Sequence, residues 1–107
     1  MTYEVGLTDA AFGQLESAHA WWMTNRSPAQ AARWYNSFAR AIVSLGNTPG
    51  RWPFGVENGT FPYEIRELHF GLAARPTHRA VFTIRERMVP VVAVRHLAQR
   101  AITPQDV

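Results

Sequence analysis

The sequence predicts one α+β domain, an antiparallel sheet with an N-terminal helical hairpin packed on one face, and three observations predict it. Two stretches between residues 9 and 45 place apolar residues at intervals of three and four. Three stretches between Tyr63 and His96 alternate instead every second residue, the period of half-buried strands. A length of 107 residues with 47% apolar content suits a single core, so residues 1–107 are read as one domain.

Taken in order, Thr2 to Leu7 sets Tyr3, Val5 and Leu7 against Thr2, Glu4 and Gly6, the pattern of a first strand. Thr8 and Asp9 then open a helix, with a hydroxyl for the free N–H groups and a carboxylate at the positive end of the dipole. From Ala10 to about Thr24, Phe12, Leu15, Ala18 or His19, and Trp22 are expected on one face. Ser27-Pro28-Ala29-Gln30 is the clearest local signal: serine at the cap, proline in the first turn and glutamine at the third position form a capping-box pattern. The second helix is expected from Pro28 to about Leu45, with Ala31, Trp34 or Tyr35, Phe38, Ile42 and Leu45 inward and Gly46 as its stop. The short break between the helices implies an antiparallel hairpin, with Trp22, Trp34 and Phe38 read as its core.

Residues 47–62 hold three prolines and three glycines and read as loop, although Arg51, Trp52, Phe54 and Glu57 are large for a solvated one. Trp52 and Phe54 are expected to cover a core edge or to meet a partner. In the strands that follow, His78, Ala80, Phe82 and Ile84 point one way and Arg79, Val81, Thr83 and Arg85 the other. The apolar set should face the helices, which leaves Arg79 on the exposed side of the sheet. Pro90 cannot donate to a ladder and marks an edge or a bulge, and Arg85-Glu86-Arg87 makes a tight turn without Asn-Gly. Thr103-Pro104 could begin a last helical turn.

Composition narrows the chemistry. There is no cysteine, which excludes disulfides and thiolate metal sites, and no histidine pair has the spacing of metal ligands, so no metal or cofactor is expected. No run approaches the ~20 apolar residues of a membrane span, and the expected location is cytoplasmic. All eleven basic residues are arginine, whose planar fork of donors fits phosphate and carboxylate alike. A coding bias toward arginine is the plainer account of the same fact.

In order and spacing, the fragments of this chain resemble the RelE/ParE superfamily, the toxins of type II toxin–antitoxin (plasmid stabilisation) modules. The resemblance is carried by Thr-Asp-Ala-Ala after the first strand, Ala31-Ala32-Arg33-Trp34, Ala41-Ile42-Val43-Ser44-Leu45, Glu64-Ile65-Arg66-Glu67-Leu68, His78-Arg79-Ala80-Val81-Phe82, and Val-Ala-Val-Arg-His at 92–96. It implies a small growth-arresting toxin neutralised by an acidic antitoxin whose helix and extended segment wrap it. It also implies two possible targets. RelE-like and YoeB-like members cut mRNA on the ribosome, whereas ParE-like members inhibit DNA gyrase without nuclease chemistry. A third possibility is a homologue that has lost its toxicity and survives as an antitoxin partner.

By resemblance to the YoeB-like branch, Glu57 would be the base that accepts the 2′-hydroxyl proton, Arg79 the phosphate clamp and His96 the acid, with Arg66 and Arg95 adding charge. The expected function on this reading is a ribosome-dependent mRNA endonuclease. The chain departs from that branch where Leu97 follows the histidine in place of tyrosine and ten further residues follow Leu97. RelE-like members rely on lysines, which are absent here. The alternative is that Arg66 and Arg79 pair with Glu64, Glu67 or antitoxin carboxylates, that His96 bonds a backbone group at the end of its strand, and that His19, His69 and His78 are surface or satisfied residues.

Overall fold

A computed structural model describes residues 2–107. The order is β1 (Glu4–Leu7), α1 (Asp9–Asn25), α2 (Pro28–Val43), β2 (Arg66–Phe70), β3 (His78–Phe82) and β4 (Met88–His96). The sheet order is β1-β4-β3-β2. β2, β3 and β4 form the expected antiparallel meander, and β1 joins the outer side of β4 in parallel. A parallel neighbour needs a long crossover, and here the helical hairpin and the meander together supply it.

Both helix starts are capped as their residues require. The Thr8 side chain accepts from the Ala11 N–H and Ser27 from the Gln30 N–H. In α1 the inward stripe is Ala11, Leu15, Ala18 and Trp22, while Phe12, expected on that face, is 53% exposed. Leu15, Ala18 and Trp22 keep their expected face, but the stripe begins one residue earlier, at the fully buried Ala11. In α2 the buried residues are Ala31, Trp34, Phe38 and Ile42, as the spacing predicts. The helix ends at Val43 and a 3-10 turn at Ser44–Gly46 carries Leu45 into the core. A side chain at Gly46 would stand 3.0 Å from the Tyr3 carbonyl, so glycine lets this turn close on the first strand.

An aromatic stack runs through this core. Trp22 lies over Trp34 with ring centroids 6.1 Å apart, Trp34 meets Phe38 edge-on at 5.4 Å, and Phe38 stacks on Phe70 at 4.7 Å. His78, Ala80 and Phe82 of β3 face these helices, as their alternation predicts.

The opposite sheet face differs from expectation. It is covered: Phe61, Ile65 and Ile102 pack against Val81, Val92 and Ala93, and every residue of β3 is buried. The covering loop is pinned to β2 by Gly55 N–H to the Ile65 carbonyl (2.9 Å) and Glu67 N–H to the Pro53 carbonyl (3.0 Å). The apolar residues that do this, Phe61 and Ile65, lie within and just beyond the Pro/Gly-rich stretch.

Pro90 sits inside β4, beside a bulge. Val81 pairs with Ala93 and Phe82 with Val91, leaving Val92 as the extra residue. In the β3–β4 hairpin, Arg85 and Met88 exchange two hydrogen bonds of 2.9 and 2.7 Å, and Glu86 takes a left-handed φ of 51°. The last turn is a 3-10 helix at Pro104–Asp106 with a reciprocal capping box between Thr103 and Asp106. Among the described residues, no helix is long and apolar enough to cross a membrane.

Candidate functional site

The β3 alternation and the fold of the 55–65 loop bring Glu57 and Arg79 together beneath the covering layer. Arg79 Nη1 donates to Glu57 Oε1 (2.8 Å) and Glu67 Oε2 (3.0 Å), and its Nη2 donates to Glu57 Oε2. The Ile102 N–H donates to the same Glu57 oxygen at 2.9 Å. Glu57 is 2% exposed and Arg79 5%. Burial alone would raise the Glu57 pKa, but the guanidinium and the Ile102 N–H outweigh it and hold the carboxyl below its usual range. Hydrogen bonding to Glu57 raises Arg79 in turn, against the cost of its burial, with a smaller contribution from Glu67. A side chain at Gly55 would come within 3.2 Å of Glu57 Oε1 and 3.1 Å of Ile65, so glycine lets the loop close over the pair without displacing either neighbour.

This geometry bears on what the pair can do. A general base needs a free lone pair within reach of substrate. The Glu57 carboxylate instead accepts three hydrogen bonds in a site closed to solvent. Arg79, expected on an exposed surface, has its fork turned onto two carboxylates rather than outward. The covering layer that makes the difference is built by loop and tail residues far from β3 in sequence.

His96 lies elsewhere. Directly paired residues of neighbouring strands share a sheet face. His96 pairs with His78 and Arg95 with Arg79, so His96 stands on the helix side and Arg79 on the other. Its ring meets that of His78 edge-on at 5.0 Å. His96 Nδ1 accepts from the Ala98 N–H at 3.0 Å, which puts the proton of the neutral ring on Nε2. His78 is buried against Trp34 and Phe38, and this burial, with His96 beside it, lowers its pKa to about 4.

The expected phosphate-binding arginines are also engaged. Arg66 Nε donates to Glu64 Oε1 (2.8 Å), its Nη1 donates to the carbonyls of Trp52 (2.6 Å) and Gly50 (3.0 Å), and its guanidinium lies over Phe54, 4.3 Å from the ring centre. Arg95 Nη2 donates to the Arg100 carbonyl at 3.1 Å. Trp52 is partly buried against the helix-side core, as expected of a ring that covers a core edge, and Phe54 is half exposed beneath Arg66.

A groove of about 830 Å³ lies between α1 and the C-terminal half of β4. Gly13, Gln14, Ser17, Trp21 and Trp22 line one side and Val94 and His96 the other. Nothing in the residue order marked it, since it forms where α1 crosses a strand some eighty positions later. Of its two tryptophans, Trp22 enters the core and Trp21 is 50% exposed.

Comparison with known proteins agrees with this architecture. The family model described as ParE toxin of type II toxin-antitoxin system, parDE, matches residues 5–101. A search of curated proteins found no match. Among solved structures, one titled "Chromosomal ParDE TA system from P. aeruginosa" superposes with a TM-score of 0.70 at 14% identity, covering 89% of this chain and 96% of that one. At that identity the superposition speaks to the fold alone. The family match spans both helices and all four strands but for Glu4, and on it the chain belongs to the ParE toxin family of type II toxin–antitoxin systems.

Proposed function

We propose that this ParE-family chain acts without chemistry, by binding DNA gyrase as a protein partner, and that a cognate acidic antitoxin neutralises it. The observation that carries the reading is the separation of the residues a nuclease would need. Glu57 and Arg79 satisfy each other beneath a loop, and His96 stands on the opposite sheet face. Cleavage of RNA requires base, clamp and acid around one phosphate. A binding toxin requires only a stable surface, and buried ion pairs of this kind hold surfaces in place. Net charge of +3 suits an acidic partner.

Tightly controlled expression without the antitoxin tests this. Growth arrest with intact messenger RNA and altered plasmid supercoiling is the expected outcome. Arrest with cleaved messages and unchanged supercoiling would overturn it in favour of the ribosome-dependent nuclease, and no arrest would favour a homologue that has lost toxicity.

A further inference from the structure

The covering loop adds a short outer edge to the sheet beside β2. Phe54 pairs with Arg66 in an antiparallel bridge, closed by Gly55 N–H to the Ile65 carbonyl and Glu67 N–H to the Pro53 carbonyl. Those two bonds flank the pair, so the N–H and carbonyl of Phe54 itself point away from β2. Among the described residues neither meets another backbone group. The large side chains of the loop divide. Trp52, Phe61 and Ile65 turn into the protein, whereas Phe54 is 51% exposed and Val56, at 76%, is the most exposed large apolar side chain among the described residues. Cations stand beside them. The Arg66 guanidinium lies over Phe54, and that of Arg51 lies over Trp52, 4.7 Å from the ring centre. Arg66 is held by Glu64, but Arg51 has no carboxylate within ion-pair distance among the described residues.

Aromatic rings and guanidinium groups are the side chains enriched at the centres of protein–protein contacts. A guanidinium stacked on a ring keeps its edge N–H groups free for a carboxylate and loses little freedom on binding. The loop that presents them is also formed in advance. Arg79 and the Ile102 N–H clamp Glu57 beneath it, so a partner meets a fixed surface and has little to order. We infer that the edge from Arg51 to Val56 is where the chain grips its target, and that it takes an extended segment of gyrase presenting an apolar side chain to Phe54 and Val56 and a carboxylate to Arg51. The inference rests on the gyrase reading above. The outward N–H and carbonyl of Phe54 match an extended main chain and not a helix, whose backbone groups are already paired. Nucleic acid suits the edge less well, because a run of phosphates asks for several free cations and Arg66 is already paired with Glu64.

The test measures binding of the full chain to purified gyrase free of DNA, together with inhibition of supercoiling. Phe54→Ser, Val56→Asp and Arg51→Glu are each compared with Phe12→Ser, a control at an equally exposed ring on α1 (53% against 51%). Each edge variant should weaken binding by at least about tenfold and weaken inhibition in step, whereas Phe12→Ser leaves both near wild type. Thermal unfolding of the free chains separates lost contact from lost fold. Val56→Asp carries the test where Phe54→Ser unfolds early, because a side chain so exposed contributes little to the fold. Edge variants that bind and inhibit as a gyrase-binding wild type does would overturn the edge and leave the gyrase reading standing. Edge variants that keep gyrase binding and lose only binding to duplex DNA would overturn it in favour of nucleic acid. A wild-type chain that neither binds nor inhibits gyrase would overturn both.

Discussion

The two faces of the sheet are closed by different physics. Toward the helices, Trp34, Phe38, Leu68, Phe82 and Val91 exclude water by area alone. Toward the loop and tail, a thinner apolar layer of Phe61, Ile65, Val81 and Ile102 surrounds the Glu57–Arg79–Glu67 cluster. Two helices with regular stripes bring enough apolar surface to need no charge. A loop rich in proline and glycine cannot, and a bidentate ion pair fixes where it lands. Such a pair adds little net stability over an apolar substitute, yet it is costly to break from one side. The first face is held by its size; the second is held by a match.

That difference orders the expected effects of substitution. Arg79→Met strands two carboxylates beneath the loop and should cost about 3–5 kcal/mol in denaturant unfolding. A smaller loss in the Glu57→Gln, Arg79→Met double variant than in Arg79→Met alone would sharpen the contrast; simple additivity would break it. Ile102→Ala removes the tail's buried side chain and should cost about 2–4 kcal/mol, with the loop more exposed to proteolysis.

Acid should act on both faces through different groups. His78, depressed to about 4, prefers to take its proton in the unfolded chain. Its contribution is complete above about pH 6.5 and is lost as pH falls toward 4, amounting to at most about 3 kcal/mol. Glu57 is also depressed, so its contribution is present above the usual carboxylate pKa and goes only as pH falls through its lower folded value. His78→Phe should flatten stability between pH 6.5 and 4, and Glu57→Gln should flatten the stretch below that. The smallest expected effect is a gain. Glu86 sits at φ 51° in the β3–β4 turn, and Glu86→Gly should stabilise by about 0.5–1 kcal/mol in thermal unfolding, without regard to either face.

Local patterns made the helix-side face readable in advance. The Ser27-Pro28 start, the α2 stripe, the alternation of β3 and the limits of β4 all follow from spacing and capping. What spacing could not carry was long-range closure. The parallel pairing of β1 with β4, the burial of Arg79 and the bond from Ile102 to Glu57 each join residues 22 to 84 positions apart. Glu57 and Arg79 could be named as candidates because charges in a loop and on a strand ask for partners. Whether the partner was a phosphate or each other depended on the fold of a tail with no periodic signal.

On the proposed reading, Glu57 and Arg79 support the fold and do not carry out a reaction. The triple variant Glu57→Gln, Glu67→Gln, Arg79→Met tests this, because it removes every charge of the cluster while keeping side chains of similar length. Expressed without antitoxin and shown by circular dichroism to be folded, it should still arrest growth. A folded triple variant without toxicity would return the cluster to chemistry.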